Sequence, residues 1–212
     1  MVSNSTLRAN ARAQLGGGIF KDKWLMMLLV CLIYTTVEGI IAAIPVIGWI
    51  GIFVVGGPLM YGLYKTILEI VEGGSPKFEN LIHGFREDFS GNAILGLLQT
   101  LFVFLWSLLF VIPGIVKSYA YAMAFYMKRD CVKAGVTKEA KTYLEESSVM
   151  MKGHKWQLFC LDFSFLGWYL LGSLCFGIGT LFVVPYHEMA RANFYEALKA
   201  EQTNTYSEPQ AE

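Results

Sequence analysis

The chain has 212 residues and matched numbers of acidic and basic side chains, 17 of each, so it has no net field with which to draw in nucleic acid. Hydrophobic residues make up 55% and charged ones only 16%, where an average soluble domain carries about 25% charged residues. Mean hydropathy is +0.46, and a soluble fold of this size has too little interior to hide so much apolar surface, which points to a membrane-embedded bundle.

The first element is predicted over residues 6–15. Leu7, Ala11 and Leu15 fall on one side of a helix and Arg8 and Arg12 on the other, and Gly16-Gly17-Gly18 ends it. Phe20-Lys21-Asp22-Lys23-Trp24 leads into an apolar stretch over 24–70, and two more follow at 93–127 and 156–186. The first stretch has no small-x-small cleavage site ahead of a polar chain, so it is expected to stay as an uncleaved first crossing. Each stretch exceeds the roughly 20 residues that one crossing needs at a rise of about 1.5 Å per residue. Each is also broken near its middle, at Pro45-Val46-Ile47-Gly48, at Pro113-Gly114 and at Phe176-Gly177-Ile178-Gly179.

The same order of segments recurs. Residues 78–86 carry Phe78, Leu81, Ile82 and Phe85 at helical spacing, ahead of the second stretch. Before the third, Thr137 is expected to cap a helix bearing Ala140, Leu144, Ser148 and Met151, which ends at Lys152-Gly153-His154-Lys155-Trp156. The threshold aromatics suit the headgroup level of a bilayer.

The expected fold is all-α, a polytopic transmembrane helical bundle. Six crossings are predicted at 24–44, 47–70, 93–112, 114–131, 156–175 and 178–197. They pair as three tandem helical hairpins in repeating units 6–72, 76–133 and 137–199, with amphipathic helices along the cytoplasmic surface. Residues 1–200 form one membrane domain, and the polar tail 201–212 is expected to be disordered. A four-crossing arrangement stays open, because 114–131 is short and holds Lys117, and 178–197 turns amphipathic after Tyr186. Fourteen of the 17 basic residues lie in the N-terminal segment, the two segments between stretches and the tail. The positive-inside rule then sets both termini in the cytoplasm of a cell-membrane protein.

Ile112-Pro113-Gly114-Ile115-Val116-Lys117-Ser118-Tyr119-Ala120-Tyr121 resembles one signature of a bacterial membrane protein family known only as domain of unknown function 975. Met150-Met151-Lys152-Gly153-His154-Lys155-Trp156, with Leu158-Phe159-Cys160-Leu161-Asp162, resembles a second. Pro185-Tyr186, leading to Ala192-Asn193-Phe194-Tyr195-Glu196, is similar to the family's ending, and the resemblance covers roughly 5–200. It implies an integral membrane protein and supplies no catalytic or ligand residues.

Ionisable residues within apolar stretches cost about 2.5–3.5 kcal/mol or more at a bilayer centre, which makes them the natural site candidates. Lys117, with Tyr121 one turn on and the small Ala120 and Ala124 on its side, marks a narrow, partly polar face. Glu38 is the acid expected at similar depth and so its expected partner; the plain alternatives are a structural ion pair or a snorkelling lysine. Asp162 is expected either to pair with the basic threshold at 152–155 or to serve a proton or cation relay. His187-Glu188-x-x-Arg191 lacks the second histidine of a metalloprotease helix, and Glu188–Arg191 and Lys65–Glu69 read as surface pairs. His83 has no partner at ligand spacing.

Cys31, Cys131, Cys160 and Cys175 show no metal or redox spacing and read as packed free thiols. No phosphate loop, dinucleotide fingerprint or nucleophile elbow occurs, so no metal, cofactor or catalytic group is expected. The segment from Lys128 to Lys155 offers an attraction for anionic lipid headgroups, diluted by Glu139, Glu145 and Glu146. The leading functional expectation is a non-enzymatic structural, regulatory or assembly protein of the membrane with an unidentified protein partner. The alternative is a small-solute or ion permease using Lys117, Glu38 and Asp162.

Overall fold

The computed structural model describes residues 2–16, 22–44, 47–174 and 178–207, and among them there is helix and no strand. The helices are α1 (Asn4–Gln14), α2 (Asp22–Ala42), α3 (Ile47–Val71), α4 (Glu79–Arg86), α5 (Phe89–Leu109), α6 (Val111–Tyr121), α7 (Ala124–Lys133), α8 (Ala140–Met150), α9 (Lys155–Leu174) and α10 (Ile178–Ser207). Sequence neighbours pack together in three pairs, α2 on α3, α5 on α6 and α9 on α10. Helix α3 also meets α4, α5, α7 and α10, and α1 packs back on α10. Among the described residues, three helices are long and apolar enough to cross a membrane: Lys23–Ala42, Phe89–Leu109 and Lys155–Leu174. They fit membrane association.

Burial is graded along these helices. At one end, which we call the base, α1 packs on α10, α4 on α3 and α5, α7 on α3 and α8, and α8 on α5 and α6. Here Leu7, Met27, Ile67, Leu95, Phe125, Tyr143, Leu161 and Phe194 are buried. Toward the far ends the apolar side chains face outward: Ile112 is 75% exposed and Leu174 83%. Contiguous apolar exposure of this extent marks a surface covered by something other than water.

Several local expectations change. The segment 114–131 is not one helix, because α6 ends at Tyr121 and α7 starts at Ala124. Ser147 of α8 mends that break: its hydroxyl donates to the Ala120 carbonyl (2.8 Å) and accepts from the Met123 N–H (3.2 Å). Thr137 does not cap α8, whose N-cap residue is Glu139 without a side-chain bond. Residues 201–207 of the tail continue α10 as helix. On α4 the inward face is Asn80, Leu81 and Gly84, while Phe78 and Ile82 stand outward. The turns at Pro45-Val46 and Phe176-Gly177, the residues Gly17, Gly18, Phe20, Lys21 and Cys175, and the tail 208–212 lie outside the described residues.

The inward face of α4 follows from backbone contact. A Cβ on Gly84 would strike the Pro58 carbonyl oxygen of α3, and one on Gly62 would meet the Asn80 oxygen at 2.6 Å. The two helices cross at van der Waals contact of their main chains, which only glycine permits.

Candidate functional site

Two adjoining cavities lie among the long helices. The first, about 500 Å³, reaches Glu38 on α2, Gln99 and Phe104 on α5, and Ser118 on α6. The second, about 510 Å³, holds Gln99 and Ser118 again, with Tyr119 on α6, Asp162 on α9 and Arg191 on α10. Met60 is also common to both. A polar tract therefore runs through otherwise apolar walls from Glu38 to Asp162 and Arg191.

Asp162 anchors one end. Its Oδ1 lies 2.8 Å from His187 Nε2 and 3.6 Å from Arg191 Nε, with the Tyr119 hydroxyl beside it. His187 Nδ1 is 3.0 Å from the Tyr169 hydroxyl. One neutral tautomer satisfies both contacts, Nε2–H donating to Asp162 and Nδ1 accepting from Tyr169. Residues one helical turn apart, His187 and Arg191 thus face the same carboxylate; the chain Tyr169–His187–Asp162 can hold or pass a proton, and Arg191 stands beside it as a fixed positive charge. The expected pairing of Asp162 with the basic threshold is replaced by this set. Arg191 reaches Asp162 and also feels the charge of Glu188, whose Oε2 is buried without a hydrogen-bond partner.

At the other end Glu38 Oε1 accepts from the Tyr34 hydroxyl at 2.7 Å. Among the described residues Glu38 forms no ion pair with Lys117. The Lys117 ammonium instead lies over the rings of Trp106 (5.1 Å) and Tyr121 (5.6 Å), a double cation–π contact outside both cavity linings. Of the four residues singled out by sequence, Glu38 and Asp162 share the tract, and Lys117 and Tyr121 pair with each other away from it. Gln99, Tyr119, His187 and Arg191 were not assigned to it.

The base holds a second, tightly paired charge set. Lys128 is 1% exposed and lies 2.9 Å from Asp88 Oδ2. Arg129, 4% exposed, donates to Glu72 through both terminal nitrogens and also meets Asp130. Asp130 accepts from the Tyr195 hydroxyl of α10 (2.9 Å). Lys65 reaches Glu87 at 2.8 Å and His83 Nδ1 at 3.0 Å, so it does not pair with Glu69, which accepts from Asn80. Lys133 pairs with Glu72, Lys138 with Glu146, and Lys141 with Glu145. Most of the positive charge expected to attract anionic lipid over 128–155 is therefore neutralised within the protein. Lys152 and Lys155 remain beside Trp156, which is 73% exposed.

These pairs set the pH response. The Arg129 hydrogen bonds, aided by Lys133 and opposed by burial, pull the Glu72 carboxyl from 4.5 down to about 2. At Asp88 burial pushes upward, but the Lys128 ammonium and the Gly91 N–H outweigh it and the value falls; at Glu87 Lys65 and His83 outweigh burial in the same way. A carboxyl whose folded value is depressed stabilises the fold above its unfolded value, and that contribution disappears as pH falls toward the folded one. Thermal unfolding in nanodiscs should show a steady midpoint near neutrality and a falling one below about pH 4.5, steepest in the window down to about 2 set by Glu72. Arg129→Leu should flatten this slope; an unchanged slope would remove Glu72 as its source.

A comparison with curated proteins and one with solved structures found no match. The sequence does match a family over residues 1–140 and 111–202, which together take in nearly the whole chain. The chain therefore belongs to the family described as protein of unknown function, DUF975.

Proposed function

We propose that the protein is a multi-pass cell-membrane protein with both termini in the cytoplasm, whose helices form a path for a small polar solute. The observation that carries this reading is the polar tract, two cavities with a common wall at Met60, Gln99 and Ser118, ending at Glu38 and at the Asp162–Arg191 pair. Charged groups on a cavity inside an apolar bundle are costly, and they suit transported solutes and protons better than packing. The base, with its paired charges, is taken as the cytoplasmic surface, and Ala122, at the break between α6 and α7, lines the second cavity. Short helices α1, α4 and α8 precede α2, α5 and α9 in turn, which favours the threefold repeat.

No catalytic step is assigned. Purified protein in liposomes, screened with cationic, anionic and neutral solutes, should carry at least one class faster than empty vesicles. Asp162→Asn and Glu38→Gln should each slow that flux about tenfold or more, the scale of losing a buried charged contact. A structural or regulatory role is the second reading, favoured by the dense ion pairing of the base, and it replaces the first if no solute class moves.

A further inference from the structure

We propose that the Glu38 end of the tract binds a protonated primary amine; this deepens the solute-path reading and rests on it. Glu38 is an acid on an apolar cavity with no lysine, arginine or histidine in the described lining. Lys65 pairs with Glu87, Arg191 with Asp162, and Lys117 lies over Trp106 and Tyr121, so none of these cations pairs with Glu38. A carboxylate facing apolar walls is a favourable place for a cation.

A second, independent observation names the kind of cation. Gln99 lines the wall common to both cavities, and its Oε1, closed off as the side chain stands, has no hydrogen-bond partner, so a turn of the amide about its last bond is what presents that oxygen to a ligand. A buried acceptor without a donor is costly, so the site is short of N–H or O–H donors. Of the Glu38 carboxylate, one oxygen is taken by Tyr34. An ammonium has three donors, enough for the other Glu38 oxygen, Gln99 Oε1 and a hydroxyl of Ser118 or Thr100. The rings of Phe104 and Phe125 line the same cavity and add faces that attract a cation. A quaternary ammonium would use the rings but leave Gln99 unpaired, and a sodium ion would leave the rings unused. The volume of about 500 Å³ accepts a small organic molecule.

The test uses the full chain in phosphatidylcholine nanodiscs and four salts at equal ionic strength: butylammonium chloride, tetramethylammonium chloride, sodium butyrate and sodium chloride. Butylammonium alone should give a saturable rise in the unfolding midpoint and a heat of binding by calorimetry. Glu38→Gln should weaken that binding about tenfold or more, and Gln99→Leu several-fold. No response to butylammonium overturns the proposal, as does an equal response to tetramethylammonium or sodium, and neither depends on any variant folding. Undiminished binding by folded Glu38→Gln overturns it as well. Butylammonium binding without flux in liposomes would sink the solute-path reading and leave the amine site standing. Flux of anions without butylammonium binding would do the reverse.

Discussion

Asp88→Ala is expected to destabilise the protein by about 3–5 kcal/mol, the range for leaving a buried charge unpaired. Asp88 serves three purposes at once. Its carboxylate is the partner of Lys128, which is buried at the base. It caps α5, accepting the Gly91 N–H at 3.0 Å. Its own backbone stands at φ +55°, a left-handed conformation that asparagine and aspartate tolerate and alanine resists. Asp88→Asn separates these effects, because it keeps the cap and the backbone preference and removes only the charge. The double change Asp88→Asn with Lys128→Met should recover much of the loss, since no buried ion is left without a partner. Unfolding midpoints in nanodiscs should therefore rank Asp88→Ala lowest, Asp88→Asn next and the double variant above both. An Asp88→Asn midpoint equal to that of the native chain would show that the ion pair contributes nothing.

Asp88 also shows what the sequence made legible. Lys128 reads as part of a basic surface segment because its neighbours Arg129, Lys133 and Lys138 are basic too. Nothing local shows that an acid 40 residues earlier will meet it, since that contact depends on how α7 folds back beside the start of α5. The long helices were readable for the opposite reason: their apolar runs are continuous, and the amphipathic face of α1, Leu7 with Ala11, follows a single period. The break between α6 and α7 was hidden, because Ala122-Met123 carries no glycine or proline and is held open by Ser147 of a later helix.

The tract was half legible. Glu38 and Asp162 were conspicuous as acids in apolar runs, but the pairing of Lys117 with Glu38 was argued from depth alone. A better signal was available in the spacing. Helices that double back from a short connection set residues at equal distance from it side by side. Asp162 and Arg191 stand fifteen and fourteen residues from Gly177, and Trp106 and Lys117 five and six from Val111. Counting outward from Gly177 would have found the first contact; the second depends on a break at Phe110, ahead of the Pro113-Gly114 turn that the sequence suggests. Such counting would not have found Gln99 and Glu38 on one cavity, to which α5 and α2 bring them.

Gly84→Val should prevent α4 from docking, and Gly84→Ala should already cost about 1–3 kcal/mol, the usual penalty for overpacking a filled interior. The obstacle is main chain on both sides. A Cβ at Gly84 would run into the Pro58 carbonyl group and come within 3.3 Å of the Gly62 nitrogen. Pro58 and Gly62 sit in the body of α3, so neither can turn aside as a side-chain end could. The only relief is to lift α4 away, and that motion breaks more than one contact. Asn80 would leave Glu69, and the Asn92 amide would lose the Gly84 carbonyl it reaches at 2.8 Å. It would also shift Glu87, whose partner Lys65 would then be left with no carboxylate. Gly73→Ala is the control: it takes a residue at φ +93° with open space around its Cβ position, so only backbone strain is added, about 1 kcal/mol. Folded yield after membrane extraction should fall steeply for Gly84→Val and slightly for Gly73→Ala. Equal yields would mean that α3 and α4 are held apart by more space than their glycines imply, and that the Lys65–Glu87 contact depends on something other than this crossing.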